Sequence, residues 1–412
     1  MKIIDGHVKK MYFFLLALLA AGLLSACGQG SDVLDVPEEV PDAVETTDIG
    51  DGRNEEHTVS GQEEEKAERE AENGEEAESS AEADELREKF GVHCIPEQTF
   101  EVELSEYNGT VWFVPYAPSE EGDFHIQLLQ EDKVLTEIEA YVPQKLAGEA
   151  FESLDAVSFY DVNYDGNTDI VLIETYGNTR FAAVYYGIAP EKDDQGFFYL
   201  QEQLSEGLTE QVEELSVSGI REYLSGGKKN GEFSGYQEAY ETVGKMCDLE
   251  SKGEAEYGLL YFDEDDVPEL AAGITGYQVS LYSFRDGYIY NLMDHWPYGA
   301  MGNAGYEYCP RQNSLRNYNT DYAGAVCYTA YMTMNSSFSM ETVAVVETYN
   351  FDDVNGNGIP DEDEMESLGK YGVSYIDGRE ATDEECAALN KGEYEWIEGT
   401  LSLKELLAEL KR

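Results

Sequence analysis

Two copies of one short acidic pattern, each placed between strand-like runs, limit the folds that this chain can adopt. The first copy, residues 161–169, reads Asp-Val-Asn-Tyr-Asp-Gly-Asn-Thr-Asp and leads directly into the strand-like run 170–174. The second copy, residues 261–269, reads Tyr-Phe-Asp-Glu-Asp-Asp-Val-Pro-Glu and begins one hundred residues after the first. Aromatic-rich segments precede and close both copies. We interpret the pair as an internal repeat, so we expect each copy to join two strands of a small antiparallel unit.

A third acidic loop, residues 353–364, fits a twelve-residue calcium loop at every diagnostic position. Calcium prefers six to eight oxygen ligands, which such a loop draws from carboxylates, side-chain amides and one backbone carbonyl. The donors expected at positions 1, 3, 5, 7, 9 and 12 are Asp353, Asn355, Asn357, the carbonyl of Ile359, Asp361 and Glu364. The β-branched run before the loop, residues 343–349, predicts a strand where an EF-hand would have its first helix.

We refer to residues 161–169, 261–269 and 353–364 as loop 1, loop 2 and loop 3. The candidate metal ligands of loop 1 are Asp161, Asn163, Asp165, Asn167 and Asp169. Those of loop 2 are Asp263, Asp265 and Glu269, because Tyr261 takes the place of the first carboxylate. The alternative for all three is an acidic turn without metal, since Asp-Gly and Asn-Gly are also common hairpin-turn signals. For loop 2, which lacks its first ligand, we favour this alternative.

The first repeat unit resembles an FG-GAP or VCBS-type repeat, in which a D-x-N-x-D-G-x-x-D loop joins two strands. Loop 3 resembles the calcium loop of an EF-hand or of a thrombospondin type 3 repeat. The resemblance implies calcium ligation and a small antiparallel sheet, and it covers only the repeat units and the last loop. Two copies are too few to close a propeller, so the resemblance carries no function for the whole chain.

The N-terminus indicates export. Lys2, Lys9 and Lys10 precede an apolar run, residues 11–24, which is too short to span a bilayer and has the layout of a secretory signal. The run ends in Leu-Ser-Ala-Cys, which resembles a bacterial lipobox. The resemblance implies that residues 1–26 are removed and that Cys27 carries the lipid, anchoring the protein on the outer face of the cell membrane. The alternative is an ordinary signal peptide with a cysteine at its cleavage site.

Residues 27–89 have the composition of a disordered tether. Between residues 28 and 86 there are 22 acidic and 3 basic residues and no aromatic residue. Such a segment has too little apolar surface to offset the entropy of ordering it. We therefore expect it to hold the folded region away from the membrane.

The charge of the chain excludes nucleic acid as a partner. The formal net charge is −60, with 86 acidic and 26 basic residues. Binding to phosphates requires clustered lysine and arginine side chains, and the sequence contains no such cluster. Calcium is the cofactor that the acidic loops predict, and the open possibilities for a partner are a cell-wall component, a glycan or a protein.

From residue 90 onward the patterning predicts an α+β fold that is predominantly antiparallel β, with small β-meander units, calcium loops between strands and a few short helices. Residues 236–247 place apolar side chains on one helical face, and the segments 382–385 and 402–405 are capping boxes. The Gly- and Lys-rich run 226–231 reads as a linker. We therefore divide the folded region into domains 90–230 and 231–412, with one repeat unit in each.

The remaining signals are weak. No histidine, cysteine or serine motif predicts a catalytic residue. Cys309 and Cys327 could pair, although buried free thiols are the favoured reading. Trp296 and Tyr298 lie in an aromatic-rich stretch and could form a stacking face for sugars or peptides, whereas the usual role of such residues is core packing.

These observations predict a lipid-anchored, calcium-binding surface protein whose folded region is a noncatalytic binding or adhesion-type module. One alternative is an extracellular glycan hydrolase with structural calcium, whose pair of catalytic carboxylates would be hidden among the many acids. A solute-binding lipoprotein is less favoured, because that class alternates strands and helices and this sequence does not.

Overall fold

The computed structural model describes residues 72–105, 107, 109–120, 122–131, 133–188, 197–297 and 305–412, with side chains from residue 81 onward. The predicted signal peptide, Cys27 and the predicted tether up to residue 71 lie outside the described residues, as does Tyr298. No helix in the described ranges combines the length and the apolar character needed to cross a membrane.

Four antiparallel sheets make up most of the described chain, which confirms the predicted β-rich α+β class. The first sheet has the order β1-β2-β3-β4, with strands Phe100–Glu103, Thr110–Tyr116, His125–Gln130 and Lys133–Glu139. The second has the order β5-β6-β7-β8, with strands Phe151–Tyr160, Asp169–Tyr176, Thr179–Ile188 and Phe197–Leu200. The third is formed by β9 to β12, with strands Glu256–Leu260, Glu269–Ile274, Gln278–Arg285 and Tyr288–Pro297.

The fourth sheet has seven strands in the order β18-β17-β16-β15-β14-β13-β19. Its strands β13 to β19 are Tyr306–Cys309, Ser314–Asp321, Val326–Met334, Met340–Tyr349, Val373–Ile376, Arg379–Ala381 and Glu395–Trp396. Strand β16 ends shortly before loop 3, which confirms the strand predicted there. A short 3-10 helix, Glu364–Ser367, follows the loop.

The helices are α1 (Glu72–Phe90), α2 (Glu202–Gln211), α3 (Val217–Ser225), α4 (Tyr236–Glu250), α5 (Asp383–Ala388) and α6 (Leu403–Glu409). The capping boxes predicted for α5 and α6 are present, since Thr382 and Ser402 each exchange hydrogen bonds with the third residue of their helix. Helix α1 lies at the end of the segment predicted as a disordered tether. The structure differs from the prediction there because glutamate and alanine, which dominate this stretch, are strong helix formers.

The two central meanders share one hydrophobic core, which crosses the domain boundary predicted at residue 230. This core combines apolar side chains from β6 and β7 with others from β10, β11 and helices α2 to α4. The predicted linker is held in place, because the Gly231 amide donates to the Gly287 carbonyl at 3.0 Å and Asn230 hydrogen-bonds both backbone groups of Ile289. Each meander has a further sheet on its other face. The first sheet packs on β5 to β8, and the seven-stranded sheet packs on β9 to β12.

Candidate metal centres

Loops 1 and 2 occupy equivalent places in the two meanders. Loop 1 joins β5 to β6, and the pair Tyr160–Asp169 closes it. Loop 2 joins β9 to β10, and the pair Leu260–Glu269 closes it. Both pairs belong to antiparallel ladders, and the two differ by one hundred residues in each strand. The repeat in the sequence is therefore also a repeat in the fold.

The last acid of each loop is completely buried and ties the loop to its sheet. Asp169 accepts hydrogen bonds from the Val162 amide at 2.6 Å and from the Gly187 amide at 2.9 Å. Glu269 accepts from the Phe262 amide at 2.9 Å and from the Ser283 hydroxyl at 3.2 Å. Because Val162 and Phe262 are themselves equivalent, the same acid anchors the same backbone position in both units.

Inside loop 1 the backbone folds around the side-chain oxygens of positions 1, 3 and 5. Asp161 accepts from the amides of Asp165 and Gly166 at 3.1 and 3.0 Å. Asn163 accepts from the Asp165 amide at 3.3 Å, and Asp165 accepts from the Asn167 amide at 2.8 Å. Four hydrogen bonds thus fix the first three candidate ligands on one side of the turn.

Loop 3 repeats these four hydrogen bonds on an unrelated pair of strands. Asp353 accepts from the amides of Asn357 and Gly358 at 3.1 and 2.9 Å. Asn355 accepts from the Asn357 amide at 3.0 Å, and Asn357 accepts from the Ile359 amide at 2.7 Å. Loops 1 and 3 therefore have the same conformation at positions 1 to 7, as their sequences predict.

Glu364, at position 12 of loop 3, is 6 % exposed and closes the loop. One of its carboxylate oxygens accepts from the amides of Val354 and Asn355 at 2.9 and 3.3 Å. The other accepts from the amide of Asp361 at 3.1 Å, and Asp361 in turn accepts from the Glu364 amide at 2.9 Å. The two candidate ligands at positions 9 and 12 are thereby brought back against the start of the loop.

Among the three carboxylates of loop 1, Asp169 is completely buried, and Asp161 and Asp165 are half-buried. Burial raises the pKa of Asp161 to about 7, with a further contribution from Asp165, and raises the pKa of Asp165 to about 6. Burial also raises the pKa of Asp169 well above its ordinary value, and the charges of Asp161 and Asp165 add to this. Within the described ranges, no lysine, arginine or histidine forms an ion pair with any of the three.

Loop 2 differs because an arginine lies among its acids. One terminal nitrogen of Arg285 is 2.6 Å from an Asp263 carboxylate oxygen and 3.6 Å from a Glu269 oxygen. The other terminal nitrogen is 2.6 Å from an Asp265 oxygen. The arginine side chain is only 17 % exposed. All three candidate ligands of loop 2 thus face one guanidinium group. The sequence does not signal this arrangement, because Arg285 lies 22 residues from Asp263 along the chain.

Loop 1 also contacts the second meander, through Asn291 on β12. The backbone amide of Asn291 donates to the Tyr164 carbonyl at 2.8 Å, and the side-chain amide of Asn291 donates to the backbone carbonyl of Asn163 at 3.2 Å. The same side chain donates to Asp294 at 3.1 Å, beside His295, which lies 2.7 Å from Asp294. Burial lowers the pKa of His295, but the neighbouring acids, Asp294 first, raise it well above its ordinary value. This polar cluster joins loop 1 to the second unit, and nothing in the sequence marked it.

The remaining predicted residues lie apart from the loops. Trp296 is partly buried against the core between the third and fourth sheets, and its ring centroid is 5.4 Å from that of Tyr306. Its partner in the prediction, Tyr298, lies outside the described residues. The five cysteines of the described region, including Cys309 and Cys327, are free thiols.

In the described part of the chain, no group of three or more histidine, cysteine, aspartate or glutamate side chains is arranged so that those side chains alone could hold a metal ion. The donor sets of loops 1 and 3 extend beyond these residue types to asparagine and backbone oxygens. The chain matches no protein-family model and no curated protein. The resemblance of the loops to known calcium repeats therefore stays a prediction.

Proposed function

We propose that this chain is an exported, lipid-anchored protein that binds calcium in loops 1 and 3 and uses its folded region as a noncatalytic binding module. The observation that carries the calcium assignment is the group of three carboxylates in loop 1, of which Asp169 is completely buried and Asp161 and Asp165 are half-buried. Asp161, Asp165 and Asp169 have raised pKa values and no cationic partner among the described residues. Buried charges are costly unless they are paired or coordinate a metal.

The residues of both loops fit a calcium ion chemically. In loop 1 the donors would be Asp161, Asn163, Asp165, the carbonyl of Asn167 and Asp169. In loop 3 they would be Asp353, Asn355, Asn357, the carbonyl of Ile359, Asp361 and Glu364. Carboxylate, amide and carbonyl oxygens are the donors that calcium prefers. Bound calcium would supply positive charge where these carboxylates repel one another, and it would thereby stiffen the connections between strands.

Thermal unfolding of the full-length protein in chelator, calcium and magnesium tests the calcium assignment. A ligand that binds only the folded state at one hundred times its Kd adds about 2.7 kcal/mol per site. We expect calcium to raise the Tm and magnesium to raise it much less, because magnesium requires a near-ideal octahedral site and gives up its waters reluctantly. Equal Tm values in chelator and in millimolar calcium would mean that the loops are acidic turns that bind no calcium.

The lipid anchor rests on the lipobox-like segment that ends at Cys27 and is tested separately. We expect Cys27→Ser to move the protein out of the membrane fraction of the producing cells. Cys386→Ser, at a half-buried free thiol in the folded region, is the matched control and should leave the distribution unchanged. Membrane recovery of the Cys27→Ser protein equal to that of the parent would contradict the anchor.

Exposed aromatic side chains on the seven-stranded sheet and its connections support the binding role. Among them, Trp396 is 47 % exposed and Tyr318 is 40 % exposed, and such rings stack well on sugars and peptides. Co-sedimentation with purified peptidoglycan tests this role. We expect Trp396→Ala to weaken it, whereas Tyr277→Ala, at an exposed turn of the third sheet, should not. Release of soluble reducing sugar from the same material would instead support the alternative, a glycan hydrolase.

A further inference from the structure

We infer that Arg285 is the permanent cation of loop 2, so that its guanidinium stands in the place that calcium takes in loop 1 and makes the second meander independent of calcium. The inference rests on the proposed calcium function of loop 1, and it assigns to an arginine side chain a role that the other unit gives to a metal ion.

The candidate ligands of loop 2 keep part of the hydrogen bonding of their counterparts in loop 1. Asp263 and Asp265 keep two of the four hydrogen bonds of loop 1, since they accept from the amides of Asp265 and Val267 at 3.1 and 2.8 Å. Glu269 keeps the anchoring role of the last acid and is completely buried. Loop 2 thus keeps hydrogen bonds at positions 3, 5 and 9, although of these two loops only loop 1 has positive φ angles at positions 4 and 6, which are Tyr164 and Gly166.

Arg285 lies at the position in the second meander that Ile188 occupies in the first. In the first meander Ile170 pairs with Tyr185, and in the second Leu270 pairs with Tyr282. Arg285 lies three residues after Tyr282, and Ile188 lies three residues after Tyr185. The two units therefore carry an arginine and an isoleucine at the same place in the sheet, and only the arginine can compensate the acids of its loop.

The positive charge of Arg285 faces the carboxylates of loop 2. The guanidinium contacts the three candidate ligands of loop 2, Asp263, Asp265 and Glu269, at 2.6, 2.6 and 3.6 Å, and it also donates to the Phe284 carbonyl at 2.9 Å. Loop 2 has also lost the position 1 carboxylate, because Tyr261 stands where loop 1 has Asp161. Asp263 supplies a carboxylate where loop 1 has Asn163, so each loop has three carboxylates among its candidate ligands. The guanidinium therefore offers one fixed positive charge to the same number of carboxylates that would hold a divalent ion in loop 1.

Calcium titration of the full-length protein and of Arg285→Ile, followed by calorimetry, tests the inference. The substitution installs the side chain that the first meander has at this position. Because an open depression borders Asp263, Asp265 and Arg285, added calcium can reach the acids. We expect the parent to bind two calcium ions and Arg285→Ile to bind three, with a larger rise in Tm between chelator and calcium.

Arg311→Met is the matched control. Arg311 contacts loop 2 from outside, donating to the Asp265 carbonyl at 3.0 Å, and its side chain is 44 % exposed. The Arg311→Met change should leave the number of bound calcium ions at two. In Arg285→Ile, the further change Tyr261→Asp restores the missing first ligand and should tighten the third site.

The outcomes separate this inference from the proposed function. A parent that binds three ions, or a folded Arg285→Ile protein that binds no additional ion, overturns the inference while leaving loops 1 and 3 intact. A parent that binds none overturns the proposed function and, because the inference rests on calcium in loop 1, overturns the inference with it. If Arg285→Ile is unfolded in chelator, calcium should restore its native circular dichroism. Failure of 10 mM calcium to do so also overturns the inference, because a calcium loop of this type saturates below that concentration.

Discussion

Replacing Asp161 by asparagine removes one half-buried charge from loop 1 while keeping the size of the side chain and one acceptor oxygen. In the calcium-free protein the pKa of Asp161 rises from 3.8 to about 7, mainly because of burial. At pH 8 its ionisation therefore costs about 4 kcal/mol of folding free energy, at 1.36 kcal/mol per pKa unit. Asparagine avoids this cost but loses one of the two hydrogen bonds to the amides of Asp165 and Gly166, at about 1–3 kcal/mol.

The variant should consequently be more stable than the parent in chelator, by about 1–3 kcal/mol. Calcium should reverse the order or narrow the gap, because the parent gains about 2.7 kcal/mol from loop 1 at one hundred times the Kd and the variant loses this gain. At 2–4 °C per kcal/mol, the calcium-induced rise in Tm should be about 5–10 °C smaller in the variant. Scanning calorimetry at pH 8 in chelator and in calcium measures both effects.

Asp155→Asn is the control, because it makes the same substitution in the same hairpin but at the end away from the loop. Asp155 pairs with Arg180 at 3.0 Å and contacts no loop 1 residue through a hydrogen bond. Its calcium response should equal that of the parent. If Asp161→Asn keeps the full calcium response, or if it is destabilised in chelator and unchanged in calcium, the reasoning about loop 1 is refuted.

Three further predictions concern the acids of loops 1 and 3 and the buried Glu174. Glu364→Gln should lower the number of bound calcium ions by one in calorimetry, since Glu364 supplies position 12 of loop 3; an unchanged count would contradict its role. In the calcium-free parent, the free energy of unfolding measured with urea should fall as the pH rises from about 4 to about 7. The reason is that Asp161 and Asp165 lose their protons at lower pH in the unfolded chain than in the folded chain. Calcium should abolish this dependence on pH. Glu174→Met should stabilise the protein more at pH 9 than at pH 5, because Glu174 is completely buried and burial raises its pKa to about 8; equal gains at the two pH values would contradict this.

The parts of the fold that sequence reasoning predicted depend on short stretches of chain. The loops between antiparallel strands, the strand before loop 3 and both capping boxes follow from the chemistry of neighbouring residues. Thr382 and Ser402, for example, need only the glutamate three positions later to complete their caps. The internal repeat was also visible, because the acids recur with a constant offset and the fold keeps that offset in its strand pairs.

The parts that it missed depend on contacts between distant residues. Arg285 reaches Asp263 across 22 residues, and the sequence around it signals only a tight turn, which the positive φ angles of Asp286 and Gly287 confirm. Asn291 reaches Asn163 across 128 residues. The boundary at residue 230 was placed on glycines and lysines that do form a turn, but this turn is hydrogen-bonded to the second meander. The contacts of Arg285, the contacts of Asn291 and the place of the turn before residue 231 all depend on how the strands and sheets pack, which local sequence patterns do not encode.

The most direct test of the account is a crystal structure of the folded protein grown with calcium, with anomalous difference density recorded at a long wavelength. We expect one calcium peak among Asp161, Asp165 and Asp169 and one within loop 3. We also expect that loop 2 carries no peak and keeps Arg285 between Asp263 and Asp265. The absence of a peak at loop 1, or a peak at loop 2 with Arg285 displaced from its acids, would contradict these expectations.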